Sequence, residues 1–179
     1  MVYVLLGTGF EEIEAVAPVD LMRRAKIDVQ IVGIGGDLIT GRNGITIRAD
    51  VRVEDIELEQ MEMIVLPGGA GIESIGADTS ALNAIKYAYD HQKYIAAICA
   101  APTLLAKLGM LNGVNAVCYP GMEDEMPGAR WAGSVKTVRD GRFVFGQAPG
   151  AAIDFGLKLI EALKGEAEAR KVNNDIFYH

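Results

Sequence analysis

The sequence is short of the residues on which several classes of protein depend. Its 179 residues include two cysteines, Cys99 and Cys118, and two histidines, His91 and His179. Two cysteines are too few for a secreted disulfide scaffold. No cysteine or histidine pair has the spacing of metal ligands, and no complete nucleotide-binding motif is present, so we expect neither a metal site nor another cofactor. A Cys–His hydrolase lacks an obvious base, because neither histidine has a position that favours pairing with Cys99.

Basic clusters and long apolar segments are also missing. The formal net charge is −7 and the isoelectric point is about 4.9, which argues against a general nucleic-acid binder and against attraction to anionic membranes. No apolar run approaches the ~18 residues of a transmembrane helix. The chain opens with a short apolar run and no basic leader, which indicates a first strand and not a secretion signal. We therefore expect a cytoplasmic protein with reduced thiols.

The sequence does contain a regular alternation of strand and helix patterns. Half of the residues are hydrophobic, and no repeat or linker divides the chain, so residues 1–179 are predicted to form a single domain. The alternation predicts an α/β fold in which helices cover both faces of a mostly parallel sheet. The main predicted strands are Val2–Leu6, Asp28–Ile34, Met63–Leu66 and Asn115–Tyr119, and the main predicted helices are Glu12–Ala25, Ser80–His91 and Ala151–Leu163.

Cys99 lies where an apolar strand pattern meets a helical pattern. The apolar run that begins at Tyr94 is typical of a buried parallel strand, and Pro102 suits the first turn of the helix that follows. Open α/β sheets place their binding sites at this edge, and a helix amino terminus favours a thiolate over a thiol. Position alone leaves two interpretations open, an inert core cysteine and a reactive thiol with a low pKa.

Other predicted strand ends carry residues that would meet Cys99 at the same edge. A carboxyl group in an apolar pocket has a raised pKa, so a protonated Glu14 could donate a hydrogen bond to a thiolate. The N–H groups of the glycine pair after the third strand, together with that of Ala100, could stabilise an oxyanion. The alternatives are a solvated helical turn for the three glutamates of residues 11–14 and an ordinary turn for the glycines. The residues at these other strand ends are Glu14, Gly68, Gly69 and Tyr119.

Five segments together resemble the DJ-1/ThiJ/PfpI superfamily, and most of all its DJ-1 and YajL branch. The resemblance spans nearly the whole chain and implies a flavodoxin-like three-layer sandwich and a homodimer. It also implies that Cys99 is the reactive cysteine, that Glu14 is the protonated carboxyl group beside it, and that Gly69 and Ala100 supply backbone donors. The five segments are Gly9–Glu14, Pro18–Ala25, Leu66–Gly69, Ala96–Pro102 and Pro149–Phe155.

Two positions depart from the pattern of the superfamily. Ala100 stands where protease-like members carry a histidine directly after the cysteine, which disfavours a peptidase. Tyr119 stands where the DJ-1 branch often has a histidine. A tyrosine can form hydrogen bonds, but with a pKa of about 10 it is a poor base near neutral pH.

The resemblance and the residues leave two functions open. As an enzyme, the protein would act through Cys99 and Glu14 on small reactive aldehydes or on glycated thiols or amines, in glyoxalase- or deglycase-like chemistry. A hydroxy acid such as lactate would be the product. As a stress protein, it would sense oxidants by forming sulfenic and sulfinic acids at Cys99, or act as a protective chaperone-like protein, without efficient catalysis.

Overall fold

The apolar runs of the sequence form strands that are buried on both faces. The computed structural model describes residues 1–179. All five residues of the first strand and all four of the sixth are buried, as expected for parallel strands that have helices on either side. The strands are β1 Val2–Leu6, β2 Val29–Gly33, β3 Leu38–Thr40, β4 Thr46–Arg48, β5 Val51–Arg52, β6 Met63–Leu66, β7 Tyr94–Ile98, β8 Asn115–Ala116, β9 Arg130–Trp131, β10 Thr137–Asp140 and β11 Phe143–Gly146.

Seven strands form the central sheet in the order β10-β11-β7-β6-β1-β2-β5. Every neighbouring pair is parallel except the β10–β11 hairpin, so the prediction of a mostly parallel sheet is confirmed. Strands β7, β6 and β1 are direct neighbours. Their carboxyl ends therefore bring three loops to one edge of the sheet, as the topology of open α/β sheets requires.

Six helices cover the two faces of the sheet and give the predicted sandwich. One apolar cluster joins one face to α2, α3 and α4, and a second joins the opposite face to α1, α5 and α6. Strand β1 shows the alternation, since Tyr3 and Leu5 belong to the first cluster and Val4 and Leu6 to the second. No helix is both long and apolar enough to span a bilayer. The helices are α1 Glu12–Arg24, α2 Gly71–Ala77, α3 Thr79–Asp90, α4 Ala101–Lys107, α5 Ala152–Lys164 and α6 Glu166–Asp175.

Two local predictions differ from the structure. The helix α2 was not predicted, because Gly71 and Gly76 lower the helix propensity of this short segment. The predicted strand 115–119 is reduced to the two residues of β8, which pairs with β9 outside the central sheet. Helix α1 begins at Glu12 as predicted and continues through Pro18.

Candidate active site

Cys99 lies at the sharp turn between β7 and α4. Its φ angle is 64°, in the left-handed region that side-chain-bearing residues rarely occupy and at a cost of about 1 kcal/mol or more. The turn is held from both sides, because the Cys99 N–H donates to the Gly146 carbonyl over 3.0 Å and the Tyr119 N–H donates to the Cys99 carbonyl over 2.8 Å. Cys99 keeps 8% of its surface exposed, whereas Cys118 has none.

The Glu14 carboxyl group points from the first turn of α1 towards the same place. Glu14 is fully buried, and its Oε2 accepts a 2.8 Å hydrogen bond from the Gly68 N–H. Its Oε1 is buried without any hydrogen-bond partner. A β-carbon at Gly68 would lie 2.7 Å from Cβ of Cys99 and 2.7 Å from Oε2 of Glu14. Only a glycine therefore lets the backbone pass between these two side chains and hold the carboxyl group in place.

Two backbone N–H groups face the sulfur of Cys99. Those of Gly69 and Ala100 form hydrogen bonds that favour the thiolate and lower the pKa of Cys99. Gly69 has a φ of 80° and packs directly against the backbone of Phe10, so the loop after β6 is fixed to the loop after β1. The structure thus brings together Cys99, Glu14, Gly68, Gly69 and Ala100, as the sequence predicted.

Cys99 and Glu14 titrate as a pair. Burial raises the pKa of Glu14 to about 7. Burial, and then the negative charge of Glu14, raise the pKa of Cys99 to about 12. The prediction of a low thiol pKa is therefore wrong for the state in which Glu14 is ionised, because the buried carboxylate opposes a second negative charge beside it. Glu14 is therefore the group of this pair that ionises near neutral pH, and its carboxylate then opposes ionisation of the thiol.

A cavity of about 490 Å³ opens beside Cys99. Its volume suits a small molecule, and most of its lining is apolar. Tyr119 stands at the rim with 47% of its surface exposed. Tyr119 reaches this position through its backbone bond to Cys99 and not, as predicted, at the end of a strand of the central sheet. The lining residues are Arg42, Gly69, Ala70, Ile72, Glu73, Cys99, Ala100, Tyr119 and Met122.

The acidic turn of α1 is buried and not solvated. Glu11 and Glu12 are 7% and 5% exposed, so the interpretation of these glutamates as a solvated helical turn is wrong. Both accept hydrogen bonds from Asn43 in the β3–β4 loop. That loop also carries Arg42, a cavity residue that the sequence patterns did not indicate. An arginine in a glycine-rich hairpin does not by itself indicate a binding site, because only the folded structure shows that this loop lies beside the cavity.

Neither histidine lines the cavity. His91 follows α3 and stacks on Tyr87 with 3.9 Å between ring centroids, and His179 is the last residue. The base closest to the sulfur in this site is consequently a carboxylate. No group of three histidine, cysteine, aspartate or glutamate side chains has the arrangement of a metal site.

Comparisons with known proteins find relatives over most of the chain. A family model described as the DJ-1/PfpI family matches residues 1–162. The chain is 33% identical to protein dj-1beta of Drosophila melanogaster over 172 residues, 94% of this chain and 92% of the relative. It is 28% identical to a protein named deglycase from Pyrococcus abyssi over 165 residues, 91% of this chain and 99% of the relative.

Solved structures give the same result. The structure of Toxoplasma gondii DJ-1, described as oxidized, superposes with a TM-score of 0.93 at 32% identity and covers 99% of this chain and 97% of that one. Drosophila melanogaster DJ-1beta superposes with a TM-score of 0.95 at 29% identity over 99% and 97% of the two chains. The similarity therefore extends over the whole fold, including the edge that carries Cys99.

Proposed function

The chain belongs to the DJ-1/PfpI family, and on this premise we propose that it is a cysteine enzyme acting on small reactive aldehydes or glycated thiols and amines. One observation carries the proposal. The buried carboxyl group of Glu14, whose pKa is about 7, is held against Cys99 beside a cavity of small-molecule size. A general base is most effective when its pKa lies near the working pH. Glu14 therefore supplies the base that the missing histidine would otherwise provide.

The first step joins the sulfur to the aldehyde carbon. As Cys99 attacks C1 of methylglyoxal, its thiol proton passes to the Glu14 carboxylate and the carbonyl electron pair moves onto O1. The N–H groups of Gly69 and Ala100, which already face the sulfur, stabilise the oxyanion that forms. Glu14 then returns its proton to O1, and the product is a hemithioacetal with the carboxylate regenerated.

The second step moves one proton between carbons. The Glu14 carboxylate removes the hydrogen from C1 and the electron pair flows to the C2 carbonyl. Glu14 returns that proton to C2, while the O1 hydroxyl proton passes to O2, which gives a thioester on Cys99. Water hydrolyses the thioester and releases lactate and the free thiol. Methylglyoxal and one water are converted to lactic acid, so no oxidant or cofactor is consumed.

The pH dependence of this reaction tests the proposal. Purified protein incubated with methylglyoxal is expected to form lactate, with kcat/KM rising about tenfold per pH unit below pH 7 and levelling off above it. The rise follows from the need for ionised Glu14, because the pKa of this carboxyl group is raised from 4.5 to about 7 by burial. Lactate is measured enzymatically or by NMR between pH 5 and 8.

Heat-denatured protein at the same concentration is the control for spontaneous conversion and for reaction with surface amines. Lactate formation no faster than in that control would exclude the glyoxalase-like reaction. A profile that rises only around pH 4.5 would instead show that an ordinary, solvated carboxylate is the base, and would remove Glu14 from the proposal.

A second function, the sensing of oxidants, is supported by the Glu14 carboxyl oxygen that has no hydrogen-bond partner. Oε1 is buried without a partner, so the protonated carboxyl group has an O–H to offer to an oxygen added to Cys99. One peroxide converts a thiolate to sulfenic acid and a second gives sulfinic acid, each with loss of water or hydroxide. The Toxoplasma gondii relative was solved in a form described as oxidized.

Selective oxidation tests this second function. Mild peroxide is expected to add two oxygens to Cys99 and none to Cys118, because Cys118 is fully buried whereas Cys99 is partly exposed and lines the cavity. Mass spectrometry of tryptic peptides measures both cysteines in one sample, so that Cys118 serves as the internal control. Equal oxidation of the two would rule out a site built for sensing.

The proposal includes the setting of this activity. We infer a homodimer that works in the cytoplasm with its thiols reduced. Helix α1 supports the dimer, since Ile13 and Val16 leave 54% and 48% of their surfaces exposed on one side.

A further inference from the structure

The β3–β4 loop is tied to helix α1 by the buried carboxylate of Glu12. Oε1 of Glu12 accepts hydrogen bonds from the N–H groups of Asn43 over 2.7 Å and Ile45 over 3.4 Å, and Oε2 accepts one from Nδ2 of Asn43 over 2.9 Å. Burial alone would raise the pKa of Glu12, but its own backbone N–H and the donors of Asn43 and Ile45 lower the pKa below its ordinary value. A charged group therefore sits buried at this contact with both oxygens satisfied.

The loop is pressed against that carboxylate with little room for movement. A β-carbon at Gly41 would lie 2.5 Å from Cδ of Glu12, so any other residue there would displace the carboxylate. Two backbone bonds continue the attachment, from Arg42 N–H to the Phe10 carbonyl over 2.9 Å and from Gly9 N–H to the Thr40 carbonyl over 2.8 Å. The backbone on both sides of Arg42 is consequently fixed, and the Arg42 side chain lies at the cavity that contains Cys99.

We propose that Glu12 is a positioning residue that fixes the β3–β4 loop, and that Arg42 thereby makes the Cys99 cavity selective for reactive carbonyl compounds that carry a carboxylate or phosphate group. This inference rests on the proposed function and names its substrate class. A cation that lines a cavity raises the local concentration of anions and speeds their entry.

The other charged groups around the cavity determine how strongly Arg42 can favour anions. Glu11 lies 3.8 Å from the guanidinium of Arg42, a long ion pair that leaves 64% of the Arg42 side chain exposed. Glu73 lines the cavity from helix α2, and Glu14 is negative only when ionised. These carboxylates offset part of the arginine charge, so the expected selectivity is several-fold. Removing Arg42 would leave only negative side chains at the cavity.

Alkylation of Cys99 by two reagents of nearly equal size measures this selectivity without any turnover. Iodoacetate carries a negative charge and iodoacetamide does not. The Arg42→Gln variant is expected to lower the ratio of the iodoacetate rate to the iodoacetamide rate by about three- to tenfold at low salt. In 1 M sodium chloride the difference should nearly vanish, because the Debye length falls to about 3 Å. Arg48→Gln, the same change on the exposed strand β4 of this hairpin, should leave the ratio unchanged.

Glu12→Gln tests the positioning role with Arg42 still present. The amide nitrogen of the new glutamine would face Nδ2 of Asn43, so the contact between α1 and the β3–β4 loop would break. The ratio of the iodoacetate rate to the iodoacetamide rate should then fall part of the way towards the value of Arg42→Gln. Circular dichroism shows whether Glu12→Gln is folded. If Glu12→Gln does not fold, Asn43→Ala tests the same contact, because it removes one hydrogen bond to Glu12 without changing helix α1.

The results separate this inference from the proposed function. A ratio that stays at the wild-type value in Arg42→Gln, or that falls equally in Arg48→Gln, would overturn the selectivity. A normal ratio in both folded Glu12→Gln and Asn43→Ala would overturn the positioning role. If no lactate formed but the alkylation ratio still depended on Arg42, the aldehyde chemistry would be contradicted and the anion selectivity would remain supported.

Discussion

Replacing Cys99 with serine is expected to reduce lactate formation from methylglyoxal by about 10³-fold or more. The serine hydroxyl would occupy the same turn and face the same N–H groups of Gly69 and Ala100. It is a far weaker nucleophile than sulfur, however, and its proton is harder to remove than that of a thiol. Since Cys99 forms every covalent intermediate of the proposed reaction, no other residue can replace it.

Cys118→Ser is the matched control for this experiment. It makes the same change of sulfur to oxygen at a cysteine that is fully buried and does not line the cavity. The Cys118 thiol donates to the Tyr119 carbonyl over 3.5 Å, a bond that a hydroxyl can also make, so we expect near wild-type turnover. If Cys99→Ser retained more than a few per cent of the activity, or if both variants lost it equally, the assignment of Cys99 as nucleophile would be wrong.

The meeting of Cys99 and Glu14 was predictable because it follows from topology. Residues at the carboxyl ends of adjacent parallel strands share one edge, and the order β7-β6-β1 places the glycine pair between the cysteine and the glutamate. The strand β6 was predicted at its observed bounds, since an apolar run ending in Pro67-Gly68-Gly69 has few alternatives. The sequence therefore contained the central part of the candidate site.

The remaining features depend on contacts that no local pattern encodes. Whether Glu12 is solvated or buried is decided by where the β3–β4 hairpin folds, and that hairpin is distant in sequence. The same contact brings Arg42 to the cavity. The titration of Cys99 is another example, because a helix amino terminus alone favours the thiolate, whereas burial and the neighbouring carboxylate raise the pKa of the thiol. Only the three-dimensional arrangement shows which effect is larger.

Replacing Glu14 with glutamine is expected to lower kcat/KM for methylglyoxal by about 10²- to 10⁴-fold, the usual contribution of a general base. Glutamine has nearly the same shape, and its Oε1 can accept the hydrogen bond from Gly68. It cannot take a proton from the thiol or from C1. Because the variant also lacks the negative charge that raises the pKa of Cys99, iodoacetamide should alkylate Cys99 at pH 8 at least as fast as in the wild type. Lost turnover with undiminished alkylation identifies a proton carrier.

Stability provides a second readout on the same variant. Folding raises the pKa of Glu14 from 4.5 to about 7, so the folded wild type binds its proton more tightly than the unfolded chain. The contribution of Glu14 to stability is therefore greatest below pH 4.5 and is lost, by about 3 kcal/mol, as the pH rises from 4.5 through 7. Urea titrations at pH 4.5 and 8 should show this loss in the wild type relative to Glu14→Gln. Glu59→Gln, an exposed glutamate outside the cavity, is the control and should behave as the wild type in both assays. If Glu14→Gln kept wild-type turnover, or if its alkylation slowed as much as its turnover, the carboxyl group would be a structural element of the site and not its base.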